Sequence, residues 1–229
     1  MFCMGGCGWK RKNILSMKVT KIGHCCLLIE THGKRILTDP GSFTIDELVT
    51  KGIDIVLITH EHADHIHIDS VKKIITTSPE VTIFTNSSVG KLLSEAGIAF
   101  TLLEHTNEVL CLGIHLQAFD SKHEEIFKDI GQVQNTGYFI ANTLFYPGDS
   151  FADPQREVEV LAFPIGGPWC KIKDAIEYVL KVRPKRAFPV HDGIERADRV
   201  SVLYRIPGII FPENDIDFRP MKAGDTEEF

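Results

Sequence analysis

The sequence predicts an α/β domain in which layered β-sheets are covered by helices. Short apolar segments rich in β-branched residues indicate strands, and amphipathic segments with helical spacing are interleaved with them. The chain of 229 residues is 43% hydrophobic, which is enough for one large core. No repeat, low-complexity tract or linker divides it. We therefore expect a flexible N-terminal tail at 1–16 and a single domain at 17–229.

Strands dominate the first half of the chain. DIVLITH is apolar without alternation, which is typical of a strand buried on both faces. Val71, Ile74 and Ile75 have the spacing of one helix face, and Asp69 is the expected N-cap of that helix. The elements expected up to residue 97 are strands over 18–37, a helix over 44–52, a strand over 54–60, a helix after 69, a strand over 81–85 and a helix over 86–97.

The second half continues the alternation of strands and helices. The segment KIKDAIEYVLKV is the clearest amphipathic helix, and Pro184 ends it. The elements expected here are strand-like segments over 98–147, a strand over 157–164, the helix over 171–182, a strand over 186–191 and a short helix near 197–205.

Composition and charge argue against several functions. The net charge is −6, and the basic cluster at 181–186 is interpreted as a solvated turn, so no nucleic-acid partner is expected. No apolar segment has the length of a membrane span, and the first residues lack the apolar segment of a signal peptide. The spacing of the six cysteines is not that of a disulfide framework, which favours reduced thiols in a cytoplasmic protein.

The most informative segment is THEHADH at 59–65, at the expected end of a strand. If 60–62 stay extended, His60 and His62 point to the same side and can chelate one cation. Asp64 and His65 follow as the chain turns and could bind a second cation beside the first. Nitrogen-plus-carboxylate ligands suit zinc, and also iron or manganese. Histidines outside the motif that we interpret as ordinary residues are His32, His67, His105 and His115.

The segment HEHADH resembles the HxHxDH signature of the metallo-β-lactamase superfamily, and the resemblance extends over residues 18–205. The family pattern has three further ligands, and their counterparts here follow in order: His123 in FDSKHEE, Asp149 in LFYPGDS and His191 in FPVHDG. His105 and His115 are nearby alternatives to His123. The ligand sets implied by the resemblance are His60, His62 and His123 for one metal and Asp64, His65 and His191 for the other, with Asp149 bridging both.

The resemblance also implies an αββα sandwich, with two mixed β-sheets between layers of helices and the metals at one edge. Two divalent cations, with zinc preferred over manganese or iron, would share a water molecule and lower its pKa, so that a bridging hydroxide could attack the substrate. Asp64 and Asp149 are the expected catalytic carboxylates. Asp149 would also orient the nucleophile. His62 occupies a position where redox members often carry an acidic residue, which favours hydrolysis.

Further segments resemble a branch that includes ascorbate-6-phosphate lactonase-like proteins: IGHCCLLIE at 22–30, LTDPG at 37–41 and AFPIGG at 162–167. In that branch His24 and Asp39 lie near the metal site. Asp39 could hold a ligand histidine through its second ring nitrogen. For His24, an ordinary strand histidine is an equal alternative.

We therefore expect a metal-dependent hydrolase of a small ester, lactone or phosphodiester. The alternatives are a nuclease of the same superfamily and a non-catalytic metal-binding protein on this fold. A β-lactamase is not expected, because those proteins are typically exported. Trp169 and Phe151 either line the pocket or serve ordinary packing. The oligomeric state stays open, with an isologous homo-oligomer as the default.

Overall fold

The computed structural model describes residues 16–44, 51–196 and 198–229. Within them, two seven-stranded mixed sheets are flanked by helices, which confirms the expected αββα sandwich. The helix expected over 44–52 lies largely outside the described residues, as does nearly all of the N-terminal tail expected at 1–16. No helix of the described ranges is both long and apolar enough to cross a membrane.

The first sheet combines strands from both ends of the chain. In spatial order its strands are β14 (Thr226–Glu228), β1 (Lys18–Lys21), β2 (Leu27–Thr31), β3 (Lys34–Thr38), β4 (Ile55–Ile58), β5 (Thr82–Thr85) and β6 (Thr101–Leu102). Pairing is antiparallel from β14 to β3 and parallel from β3 to β6. Helices α1 (Ile68–Thr77) and α2 (Ser87–Glu95) connect its parallel strands.

The second sheet has the same mixed character. In spatial order its strands are β13 (Asp217–Phe218), β12 (Arg186–Val190), β11 (Val160–Pro164), β10 (Leu144–Tyr146), β9 (Gln134–Ile140), β8 (Ile114–Lys122) and β7 (Glu108–Cys111). Pairing is parallel from β13 to β10 and antiparallel from β10 to β7. Its helices are α3 (Ile172–Val182), α4 (Ser201–Tyr204) and α5 (Pro207–Ile210).

Side-chain alternation along the strands builds three apolar layers. In β4, Ile55 and Leu57 belong to the core between the two sheets, whereas Val56 and Ile58 belong to the layer under α1 and α2. A third layer, which includes Phe163, packs the outer face of the second sheet against α3 to α5. The prediction that β4 is buried on both faces is confirmed. Packing on both faces holds the end of β4, after which the histidine motif begins.

Two expected boundaries are wrong, and two strands were not predicted. Asp69 is not the N-cap of α1, because His67 takes that position: its backbone N–H donates to the Pro40 carbonyl and its carbonyl accepts from Val71 N–H. The strand expected over 54–60 ends at Ile58, because the Thr59 N–H donates to the Asp39 carboxylate instead of continuing the ladder. The C-terminal strands β13 and β14, which no sequence pattern indicates, complete the two sheet edges.

Candidate metal centre

Four chain segments that follow strands bring their polar side chains together at one edge of the sandwich. The histidine motif follows β4, His123 follows β8, Asp149 follows β10 and His191 follows β12. Residues 61–65 form bends and a turn rather than an extended segment. The turn, in which the His65 and Ile66 N–H groups donate to the His62 carbonyl, therefore sets the directions of these side chains.

The first group consists of His60, His62, His123 and Asp149. One ligand atom from each lies within 4.8 Å of those of the others, and only His62 is not fully buried. The ring centroids of His62 and His123 are 4.6 Å apart. Nε2 of His123 lies 3.2 Å from Oδ2 of Asp149.

The second group consists of Asp64, His65, Asp149 and His191, again within 4.8 Å. Nε2 of His191 lies 2.8 Å from one oxygen of Asp149, and Nε2 of His65 lies 3.1 Å from the other. Nε2 of His191 is also 3.5 Å from Oδ2 of Asp64. Asp149 thus belongs to both groups, and all seven residues of the expected ligand sets meet in one place.

Hydrogen bonds fix the tautomers of the buried histidines. In four of these rings, those of His60, His65, His123 and His191, Nδ1 faces a protein oxygen and so carries the proton, and Nε2 is directed at the centre. For His123 and His191 the acceptors are the carbonyls of Glu124 and Gly166, at 2.6 and 2.7 Å. For His60 the acceptor is the Thr59 hydroxyl at 3.0 Å, which itself donates to Asp39.

Asp39 lies directly behind His65 and is completely buried. Its Oδ2 is 2.7 Å from Nδ1 of His65 and also accepts from the hydroxyls of Thr59 and Tyr146, at 2.8 and 2.5 Å. Its Oδ1 accepts from the Thr59 N–H. Asp39 therefore lies where the sequence placed it, and Thr59 and Tyr146 are supporting residues that the sequence analysis missed.

His24 contacts the centre through Asp64. Its Nδ1 accepts from the Gly193 N–H at 2.9 Å, so its proton is on Nε2, which faces Oδ2 of Asp64 at 3.2 Å. Both ring nitrogens are engaged, which makes His24 an orienting group for the carboxylate. Cys25, for which the sequence predicts only a reduced thiol, also lies near His24, His65 and His191.

Burial and electrostatic interactions among these groups shift their pKa values. Burial alone would raise the pKa of Asp149, but His191 and His65 hold it well below its usual value. Burial alone would lower the pKa of His65 and of His191, yet Asp149 raises both well above 6.5. Burial and neighbouring histidines lower the pKa of His60 and of His62. A cation at the second group must therefore displace protons, whereas the lowered pKa values favour the neutral form of His60 and His62.

The donor atoms suit a divalent metal. Nε2 of His60, His65 and His191 and Oδ1 of Asp149 are buried and make no hydrogen bond of good geometry, although Nε2 of His65 and of His191 lie close to the Asp149 carboxylate. Unpaired buried polar atoms are costly, and a cation is the partner that neutral imidazole nitrogens and a carboxylate oxygen share. The residues present therefore fit the metal that the sequence predicts.

Close backbone approaches set the position of Asp64 and Asp149. A Cβ on Gly41 would lie 1.8 Å from the Asp64 carbonyl oxygen, so only glycine lets this turn approach. Gly148 has φ +65°, and the Asp149 N–H donates to the side chain of Asn135, which also bonds the Pro147 carbonyl. These contacts hold both carboxylates on short, braced turns.

Aromatic residues form one wall of the centre. The Trp169 ring lies 5.4 Å from that of His123 and 5.2 Å from that of His191. Phe151 packs against Trp169 at 5.8 Å. His67 and His105 are exposed and face other partners: His67 bonds Ser70, and Nδ1 of His105 lies 3.2 Å from an oxygen of Asp120.

Comparison with known proteins agrees with this geometry. A family model described as the beta-lactamase superfamily domain matches residues 18–191. The chain is 31% identical over 194 residues to Protein Rv0786c of Mycobacterium tuberculosis, covering 82% of this chain and 90% of that protein. It is 24% identical over 188 residues to the UPF0173 metal-dependent hydrolase MJ1163 of Methanocaldococcus jannaschii, covering 76% of this chain and 83% of that protein.

Solved structures show the same fold. Igni18, a novel metallo hydrolase from Ignicoccus hospitalis, superposes with a TM-score of 0.71 at 20% identity, covering 93% of this chain and 98% of that one. CmlA, a diiron β-hydroxylase from Streptomyces venezuelae, gives a TM-score of 0.70 at 14% identity, with 96% of this chain and 55% of that one covered. With the family model matched over most of its length, the chain belongs to the metallo-β-lactamase superfamily.

Proposed function

We propose that this metal-dependent hydrolase holds two divalent cations side by side and hydrolyses a small ester, lactone or phosphodiester. The observation that carries the proposal is the position of Asp149, whose carboxylate belongs to both ligand groups. Zinc is the proposed metal because imidazole and carboxylate donors suit it, with manganese and iron as alternatives.

Each residue of the centre has a proposed role. His60, His62 and His123 would hold one cation, Asp64, His65 and His191 would hold the other, and Asp149 would contribute to both sets. Bound cations would supply an acidified water molecule and polarise the substrate oxygen. Asp39 accepts a hydrogen bond from Nδ1–H of His65 and so directs Nε2 of that ring at the centre. His24 donates to one oxygen of Asp64 and so orients its carboxylate.

The surroundings of the centre support a small substrate. Trp169 and Phe151 cover the side next to His123 and His191 with apolar surface, which limits water access there. We propose no nucleic-acid partner, given the net charge of −6. The four cysteines of the described residues are free, which supports a reducing, cytoplasmic location.

The test is hydrolysis of a panel of carboxylic esters, lactones and phosphodiesters by the metal-loaded protein. Asp149→Asn and His62→Ala should each lower activity by about a hundredfold or more, because each removes a ligand. His115→Ala is the matched control, since His115 pairs with Glu108 away from the centre. Full activity in Asp149→Asn and His62→Ala, or no turnover of any panel member, would contradict the proposal.

A further inference from the structure

Helices α4 and α5 expose an apolar face to solvent. Arg205 and Ile206, which join the two helices, have right-handed helical backbone angles, so helical spacing continues from one helix into the other. Val202, Ile206 and Ile209 follow each other at four and three positions and therefore lie on one side. They are 66%, 49% and 54% exposed. Large apolar side chains gathered on the solvent side of a helix indicate a contact surface.

The opposite face of the same helices is buried and supports the loop that carries His191. Tyr204 and Pro207 point into the domain. The Tyr204 hydroxyl donates to the Asp192 carboxylate and to the Met221 carbonyl. Packing within the domain therefore uses only the inner face of α4 and α5, and the outer apolar face has another role.

A groove of about 790 Å³ lies beside the exposed apolar residues. Val202 and Ile209 line it, together with Arg205 and Lys222. We call this groove and the three exposed apolar residues the α4–α5 surface. An apolar ridge next to a groove can fit a copy of itself about a twofold axis, because the ridge of each copy enters the groove of the other.

The charges of this region are balanced. The side chains of Arg205 and Lys222 form no ion pair with any described residue, and neither do the exposed side chains of Glu213 and Asp215. These two acidic residues follow Pro212, which lines the groove. An anionic membrane would favour a surface that is basic throughout. A second copy is instead favoured by a balanced surface, because the cations of one copy meet the anions of the other.

We propose that the α4–α5 surface is the interface of a twofold-symmetric homodimer. The three apolar side chains of each copy enter the groove of the other, and the unpaired charges of the two copies pair around this contact. Because Tyr204 supports the His191 loop from the inner face of the same helices, the dimer contact forms on the outer side of that support. The inference concerns assembly and does not depend on the metal centre.

The experiment is sedimentation velocity of the full chain over about a hundredfold range of protein concentration. Wild type should sediment as a dimer at the higher concentrations, and its Tm should rise over the same range. Val202→Asp/Ile206→Asp should stay monomeric, because carboxylates replace the apolar contacts. The matched control is Leu110→Asp/Leu112→Asp, which changes two exposed leucines in and after β7, at the sheet edge opposite β13, and should dimerise like wild type.

Charge exchange tests whether the surface meets a copy of itself. Arg205→Glu/Lys222→Glu leaves the region acidic, and Glu213→Lys/Asp215→Asn leaves it basic. Asparagine tolerates the left-handed backbone of residue 215, where φ is +60°. Each variant alone should dimerise about tenfold more weakly than wild type. An equimolar mixture of the two should recover the dimer, because opposite charges meet again across the axis.

Every other outcome contradicts the proposal. Wild type that stays monomeric at all concentrations would overturn it, as would a dimer that Val202→Asp/Ile206→Asp does not weaken. Monomeric wild type that co-sediments with phosphatidylcholine vesicles would assign the surface to lipid. If Val202→Asp/Ile206→Asp folds poorly, the charge variants still decide, because a mixture that dimerises no better than its components would exclude a twofold contact at this surface.

Discussion

His65 lies between two carboxylates: its Nδ1 is 2.7 Å from Oδ2 of Asp39, and its Nε2 is 3.1 Å from Oδ1 of Asp149. The first contact fixes the tautomer and the second faces the candidate metal centre. Because the same oxygen of Asp39 accepts from Thr59 and Tyr146, one buried carboxylate joins the ends of β3 and β4 to β10. The orientation of a proposed ligand therefore depends on residues that would not touch the metal.

Asp39→Asn should weaken metal binding at the second group. The amide replaces one acceptor oxygen with a donor, and it then faces the donors that Asp39 accepts from. We expect about a 10–100-fold loss of affinity for one of the two proposed metals, measured by competition with a chromogenic chelator.

Tyr146→Phe is the control for Asp39→Asn. It removes one hydroxyl bond to Asp39 but keeps the bond between His65 and the carboxylate. Its affinity should change less than that of Asp39→Asn. Unchanged metal affinity in Asp39→Asn would show that Asp39 does not orient a ligand.

Metal binding should release protons and tighten as pH rises. In the metal-free protein Asp149 raises the pKa of His65 and of His191 well above 6.5, which favours the protonated form of both rings. The stability that these charged rings contribute is fully present below pH 6.5 and is lost as pH rises through their raised pKa values. A cation must expel these protons, so alkaline conditions favour it.

Calorimetric zinc titrations in buffers of different ionisation enthalpy would count the released protons. The difference in Tm between loaded and chelated protein should grow from about pH 6 to about pH 8. A metal affinity that is independent of pH over this range would contradict the ligand roles of His65 and His191.

Lys21→Met should destabilise the whole fold. The buried Nζ of Lys21 donates to Oδ2 of Asp192 at 2.7 Å and to the carbonyls of Pro189 and Met221, so it ties β1 to the loop that carries His191. Removing it leaves the Asp192 carboxylate buried without its cation, although Tyr204 still donates to it. Urea denaturation should show a loss of about 3–5 kcal/mol.

The double variant Lys21→Met/Asp192→Asn tests the reason for that loss. If the cost comes from the uncompensated carboxylate, neutralising Asp192 should recover part of it. Additive losses in the double variant would mean that packing, rather than the ion pair, is what Lys21 contributes.

The local signals in the sequence predicted much of the fold and the assembly of the site. The apolar strand before the motif and the amphipathic helix at 171–182 need only neighbouring residues to be recognised. The order of the four polar segments is implied by the family resemblance. His60, Asp149 and His191 each follow a strand, and strand ends at one edge of a sandwich meet. These features of the sequence are therefore found again in the structure.

What the sequence missed depends on contacts between distant segments. Tyr146 bonds Asp39 across 107 positions, and Lys21 bonds Asp192 across 171. Neither pairing has a pattern within a short window. The wrong N-cap predicted for α1 has the same origin. The His67 N–H donates to the carbonyl of Pro40, which is distant in sequence, and the helix begins after His67.

The two groups around Asp149 are proposed to hold one cation each. We would measure metal content by mass spectrometry of protein purified without added metal or chelator, beside His60→Ala/His62→Ala and a control double variant, His67→Ala/His115→Ala. We predict about two metal ions per chain in the wild type and in the control, and clearly fewer in His60→Ala/His62→Ala. No bound metal in the wild type, even after reconstitution with zinc, manganese or iron, would contradict the claim.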